Sequence, residues 1–267
     1  MGIFDSGFGG LSILRGLVDV LPQYDYVYFG DTARTPYGTR SSEAIYAFTE
    51  QAIDFLFNKG CHIIILACNT ASSEALRRLQ QEYLPRHFPD RKILGVIIPS
   101  AEEAVSVTKN KKIGVIATAG TIASGAFERE LQKLNPEIMV VEKACPLLVP
   151  LVEAWEDDPI VTQLILSNYL DPLLSQHIDT LILGCTHYEF LVRDIQYIVG
   201  DNLNIITQGR VLTKSFKDYL KRHCELEGKL GKKSKLSFFS TDLSDKFTVL
   251  GSKFFGRTII PEHVRLD

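Results

Sequence analysis

Two short stretches of the chain carry groups able to do chemistry: Leu183-Gly184-Cys185-Thr186-His187 and an earlier echo, Leu66-Ala67-Cys68-Asn69-Thr70. Each follows an apolar run, Leu181-Ile182 in one case and Ile63-Ile64-Ile65 in the other, and each leads into helical periodicity. The shared pattern is a buried strand, a small residue, a cysteine, a threonine one or two places on, then a helix. A thiol just before a helix N-terminus meets free N–H groups and partial positive charge, which favour thiolate over thiol. Thr186-His187-Tyr188-Glu189 has the spacing of a capping box, with Thr186 at the cap and Cys185 just before it. The other cysteines, Cys61, Cys145 and Cys224, lack such neighbours and read as structural. Five widely spaced cysteines without a C-x-x-C argue against a disulfide scaffold and against a structural zinc site.

Two similar thiols suit a reaction that needs like groups on opposite sides of one atom. One sulfur removes a proton from a carbon and the other returns a proton to the opposite face. Racemisation needs that arrangement, because the base for one enantiomer is the acid for the other. A lone cysteine nucleophile with His187 as base is the competing reading, and it leaves the second thiol without a task. A metal hydrolase would use Asp5, Cys68, Cys185 and His187 as ligands. A pyridoxal enzyme would need a Schiff-base lysine that no feature picks out, and a non-catalytic amino-acid-binding module needs no paired thiols. Asp5, in a turn-rich loop, reads either as a turn residue or as a carboxylate assisting a neighbouring cysteine. His187, two places from Cys185, can help that thiol or polarise a substrate. Gly7-Phe8-Gly9-Gly10 is not a dinucleotide fingerprint, though its N–H groups could approach a carboxylate. Ser6, Asn69, Thr70 and Thr186 add short hydrogen-bonding groups, and only their convergence would argue for binding.

The elements that must position these groups alternate. Helical spacing runs over 11–21, 42–58, 72–83, 101–107, 122–134, 147–155, 161–174, 188–199 and 247–255, and Asp157-Asp158-Pro159 separates two of these helices. Strands are expected at 26–29, 63–67, 93–97, 113–117, 139–141, 180–183, 205–207 and 236–240, with an exposed loop at 224–234. Strand–helix alternation means parallel sheets with helices on both faces, an α/β protein. Gly2–Gly7 echoes Gly114–Ala119, and the cysteine strands echo each other 117 positions apart (185 less 68), which suggests two similar α/β halves. Open sheets bind ligands beyond the carboxyl ends of their strands. Asp5-Ser6, Cys68-Asn69-Thr70, Thr118 with Thr121, and Cys185-Thr186-His187 all fall at such ends, so a cleft between the halves would collect them.

The totals agree with an ordinary globular chain: 267 residues, 45% hydrophobic, 23% charged. A formal net charge of −3 gives no reason to expect nucleic acid or an anionic membrane as partner. No apolar run reaches the length of a membrane span and no signal-peptide pattern opens the chain, so a cytoplasmic setting is expected.

Asp5-Ser6-Gly7-x-Gly9-Gly10, Gly30-Asp31-x-x-Arg34-x-Pro36-Tyr37-Gly38, Ala67-Cys68-Asn69-Thr70-Ala71 and Gly184-Cys185-Thr186-His187-Tyr188 together resemble the glutamate racemases, of the wider aspartate/glutamate racemase superfamily. The likeness implies a cofactor-independent enzyme, without metal, that interconverts L- and D-glutamate and supplies D-glutamate for peptidoglycan. A racemase of a related amino acid such as aspartate is the alternative. By matching positions, Cys68 would deprotonate D-glutamate and Cys185 L-glutamate, with Asp5 and His187 as their auxiliaries. Substrate contacts would come from Asp5, Ser6, Pro36, Tyr37, Gly38, Asn69, Thr70, Thr118, Thr121, Thr186 and His187, with Glu153 an acidic residue nearby. The resemblance also implies a homodimer and two similar α/β domains, 1–97 plus 207–267 against 98–206, with the active site in the interdomain cleft. One departure is Thr207-Gln208-Gly209, where an Asp-Ser/Pro-type turn is usual.

Overall fold

A computed structural model describes residues 1–154 and 158–266. Two parallel sheets form its frame. The first has six strands in the order β10-β9-β2-β1-β3-β4, made of β1 (Gly2–Asp5), β2 (Tyr26–Gly30), β3 (Ile63–Leu66), β4 (Lys92–Gly95), β9 (Leu236–Ser240) and β10 (Glu262–His263). The second has four in the order β6-β5-β7-β8, made of β5 (Lys112–Ala117), β6 (Met139–Ala144), β7 (Thr180–Gly184) and β8 (Asn204–Ile206). Each pairing within them is parallel. Runs such as Ile63-Ile64-Ile65-Leu66 are buried throughout, as expected of strands covered on both faces.

Strand order decides where a ligand can sit. In the first sheet the chain leaves β1 for β2 on one side and reaches β3 on the other, so the order reverses between β1 and β3. In the second sheet β5 stands in the same relation to β6 and β7. Helices leave opposite faces at such a reversal, opening a crevice at the carboxyl ends of the two strands. Asp5 and Cys68 follow β1 and β3, while Thr118 and Cys185 follow β5 and β7. Ala117 pairs with Gly184, so Thr118 and Cys185 leave their sheet at one level.

Helix Gly10–Val20 buries Leu11, Ile13, Leu14, Leu17 and Val18 and lies along helix Gln208–Arg222. Leu11, Leu14, Leu183, Tyr188, Leu212 and Phe216 belong to one apolar cluster that crosses from the first sheet to the second. The helix Gln208–Arg222 was absent from the expected elements. Its signal was present: Leu212, Phe216 and Leu220 recur every four residues and are buried.

Other boundaries differ for local reasons. The strand expected over 93–97 stops at Gly95, and Ile97 opens the helix Ile97–Val107, whose first turn accommodates Pro99. The helix expected over 122–134 is two, Ala119–Ala123 and Ala126–Leu134, parted at Gly125 with φ +60°. The helix expected from 72 starts at Asn69 and passes a wide turn at Leu79–Tyr83. The segment expected over 188–199 begins as a tight 3-10 turn, Thr186–Leu191, before the α-helix Val192–Val199. Within the expected loop 224–234, Cys224–Glu227 is helical, and Asp25 accepts the N–H groups of Lys233 and Lys235 at 2.9 Å each. The helix expected over 147–155 spans Leu148–Ala154, while Trp155 and Asp157 lie outside the described residues.

Candidate active site

The four strand ends bring their side chains to one seam. Cys68 caps the helix Asn69–Glu74, and its sulfur lies 3.4 Å from Ser6 Oγ. Cys185 precedes the tight turn Thr186–Leu191, and its sulfur lies 3.8 Å from His187 Nδ1. On its other side His187 Nε2 is 3.2 Å from Glu153 Oε1. The two thiols stand close enough for charge on Cys185 to disfavour ionisation of Cys68. Both are nearly enclosed, with Cys68 6% and Cys185 8% exposed.

Burial sets the electrostatics. It pushes the Cys68 thiol up to about 12, and the charge of Asp5 adds to the effect. Hydrogen bonds with Ser6 and the Ala71 N–H pull the other way without reversing it. The helix-terminus reading of Cys68 as a thiolate is therefore corrected: six residues of helix do not offset complete desolvation beside a carboxylate. Burial also raises Asp5 above the usual carboxylate range, opposed by His187 and by hydrogen bonds from the Gly7 and Gly10 N–H groups and the Thr186 hydroxyl. For His187 burial disfavours the charge, yet its hydrogen bonds to Cys185 and Glu153 and the charges of Cys185 and Asp5 prevail, lifting it to about 10.

The expected capping box does not form. Cys185 holds the cap position, and the Thr186 hydroxyl donates instead to Asp5 Oδ2 at 3.4 Å. Asp5 Oδ1 accepts the Gly7 N–H at 2.8 Å. The N–H groups of Gly7 and Gly10 thus serve the chain's own carboxylate rather than an open anion site. Gly9 has a different task. A Cβ there would stand 2.0 Å from Thr186 Oγ1 and 2.8 Å from His187 Nδ1, so its bare backbone is what lets the two sheets' loops meet.

Thr70, Thr118 and Thr121 form a triangle of hydroxyls across the seam, with Thr70–Thr118 at 3.0 Å, Thr118–Thr121 at 3.0 Å and Thr70–Thr121 at 3.3 Å. Gly38 packs against Thr118. Tyr37 is placed differently from the expected substrate contact: its ring is buried on Phe4 and Phe48, and its hydroxyl donates to Asp31. Asn69 is also engaged, exchanging two hydrogen bonds with Gln208.

A cavity of about 500 Å³ opens at the seam, lined by Pro36, Gly38, Thr118, Cys145, Pro150 and Glu153 among others. The thiols lie outside that lining. Sequence reading missed Cys145 here. It is fully buried, and its carbonyl accepts the Tyr188 hydroxyl at 3.0 Å. Its one legible signal was its place at the end of β6. Among the described residues no three His, Cys, Asp or Glu side chains converge so as to hold a metal ion, Asp5, Cys68, Cys185 and His187 included.

Over residues 10–213 the chain matches the Asp/Glu/Hydantoin racemase family. It is 39% identical over 256 residues to a glutamate racemase of Geobacter metallireducens, covering 96% of this chain and 92% of that protein. A glutamate racemase isoform from Bacillus anthracis has a similar structure, with a TM-score of 0.91 at 34% identity over 99% of this chain and 97% of that one. So does the glutamate racemase of Francisella tularensis in complex with D-glutamate, with a TM-score of 0.89 at 32% identity over 100% of this chain and 97% of that one.

Proposed function

Because the chain belongs to the Asp/Glu/Hydantoin racemase family, on its glutamate racemase branch, we propose that it interconverts L- and D-glutamate by proton transfer between Cys68 and Cys185, without a cofactor. The observation that carries this reading is the pair of thiols held by two different sheets at one seam, each with its own polar partner.

Starting from L-glutamate, the Cys185 sulfur takes the Cα proton, and the electron pair left behind spreads into the substrate carboxylate. Cys68 gives its proton to the opposite face of the same carbon, yielding D-glutamate. Cys185 then carries a proton and Cys68 has lost one; once D-glutamate leaves, exchange with solvent takes the proton from Cys185 and returns one to Cys68, so the next L-glutamate meets the starting state. The surroundings suit this division. Burial and Asp5 hold Cys68 as a thiol ready to donate. A charged His187, braced by Glu153, turns an Nδ1–H toward Cys185 and so stabilises negative charge on that sulfur.

The remaining polar groups would hold the substrate. The hydroxyls of Ser6, Thr70, Thr118 and Thr121 and the Gly38 backbone suit its carboxylates and amino group. In this reading residues 1–97 with 207–267 and residues 98–206 are the two domains that close on it. The D-glutamate formed supplies peptidoglycan synthesis, and the protein works as a cytoplasmic homodimer. Incubating L-glutamate with the protein in deuterated water tests the reaction. Decay of the circular dichroism signal with deuterium entering Cα is expected, and an unchanged signal refutes the proposal.

A further inference from the structure

The chain returns from the second sheet to the first through Thr207-Gln208-Gly209, and the first turn of helix Gln208–Arg222 touches every element that carries a reacting group. Gln208 Oε1 accepts from Asn69 Nδ2 at 2.7 Å, and Gln208 Nε2 donates to Asn69 Oδ1 at 2.5 Å. The backbone of Gly209 lies against the Glu189 carboxylate, which belongs to the turn that begins with Thr186-His187. Gly16, in the helix that follows the Asp5 loop, packs on the Gly209 carbonyl and the Thr213 hydroxyl.

Within this hub the Asn69–Gln208 pair stands apart. Its partners are 139 positions apart in sequence, and both are buried, Asn69 2% and Gln208 3% exposed. Two amides that each donate once and accept once form a closed ring whose geometry is fixed at both ends. The ring uses one lone pair of the oxygen and one N–H of Asn69, leaving the second lone pair and the second N–H for any other partner. Asn69 is the first residue of the helix that Cys68 caps, so whatever fixes Asn69 fixes the peptide next to the sulfur. This chain carries glutamine at the crossing, and its length lets the amide reach Asn69.

We propose that Gln208 is a positioning residue for the racemase reaction: through its paired amide bonds to Asn69 it holds Cys68 in register with Cys185. The proposal rests on the two-cysteine reading for its effect on turnover. Its structural content, that Gln208 controls the setting of Cys68, stands separately.

The test compares the wild type with Gln208→Leu, which keeps bulk but loses both bonds, and Gln208→Glu, which can accept from Asn69 but not donate to it. In the ligand-free proteins, iodoacetamide labelling of Cys68 and Cys185 is followed peptide by peptide by mass spectrometry. Local release of the Cys68 segment raises the Cys68-to-Cys185 labelling ratio about fivefold or more in Gln208→Leu, with a smaller rise in Gln208→Glu. General loosening would speed both sulfurs together and leave the ratio unchanged. A ratio within about twofold of wild type in the variants that fold overturns the proposal, and Gln208→Glu decides it if Gln208→Leu does not fold. In the glutamate assay kcat falls about tenfold or more while KM stays within a few-fold, as expected when reacting atoms are misplaced by a fraction of an ångström. A wild type without turnover defeats the functional reading alone, because the labelling ratio still decides the role of Gln208.

Discussion

Replacing Gly9 by alanine puts one methyl group into the tightest contact of the seam. The backbone there has φ −56° and ψ −38°, an ordinary helical conformation that alanine adopts without strain. Any effect must therefore come from the space the methyl needs. It would lie 2.0 Å from Thr186 Oγ1, 2.7 Å from Thr186 Cβ and 2.8 Å from His187 Nδ1. Restoring ordinary contact of about 3.4 Å from 2.0 Å requires a shift of roughly 1.4 Å in Thr186 relative to the Gly9 loop. Overpacking of this kind costs about 1–3 kcal/mol, partly offset by the roughly 0.4–1 kcal/mol that alanine gains over glycine through the unfolded chain. A melting temperature a few degrees lower is expected, at about 2–4 °C per kcal/mol for a chain of this size class. Turnover suffers more, because the displaced segment carries His187 and begins next to Cys185. A misplacement of about 1 Å is worth on the order of a hundredfold in rate. Gly60→Ala supplies the contrast: φ is +85° and nothing lies within 4 Å, so it costs about 1 kcal/mol of backbone strain and leaves turnover as it was. The two variants are compared by calorimetry and by circular dichroism of glutamate turnover. Gly9→Ala with wild-type kcat, or Gly60→Ala with the larger loss of rate, would refute the steric reasoning.

Cys68→Ala and Cys185→Ala should each abolish racemisation in the same assay, since each face of the carbon needs its own proton carrier; near wild-type turnover in either would sink the two-sulfur mechanism. Iodoacetamide should label Cys68 slowly at neutral pH and faster as pH approaches about 12, and Asp5→Asn, by removing a neighbouring charge, should move that rise to lower pH; mass spectrometry of the labelled peptide reads both. His187 has a folded pKa of about 10, above an unfolded value near 6.5, so its charge contributes stability that is complete below about pH 6.5 and is lost as pH rises toward 10. The stability advantage of wild type over His187→Asn in urea denaturation should therefore be largest on the acid side and shrink between those limits. An advantage that grows with pH would contradict the sign.

Strand ends were legible in the chain because burial on both faces writes strands as short apolar runs, and turns follow them directly. That put Asp5, Cys68, Thr118 and Cys185 at sheet ends before any coordinates. What the sequence withheld depends on partners far away in it. The protonation of Cys68 is decided by Asp5 and by enclosure, neither visible in the cysteine's own neighbours. Thr186 faced a choice between capping its own turn and bonding Asp5, and only the meeting of two sheets decides it. Tyr37 reads as a cleft residue until its hydroxyl is seen committed to Asp31. The helix Gln208–Arg222 was there to be read at a four-residue spacing, but the segment's many charged and polar residues (mean composition closer to a surface face than a core one) masked it.

Cys68 follows a strand of the first sheet and Cys185 a strand of the second. In the proposed reaction the gap between proton donor and proton acceptor is therefore an alignment between two sheets, tuned by the residues where their loops touch. In that reading a wedge driven in where Gly38 packs on Thr118 would spoil the alignment with both thiols intact, and an inhibitor that acts so need not carry the substrate's carboxylates or amino group.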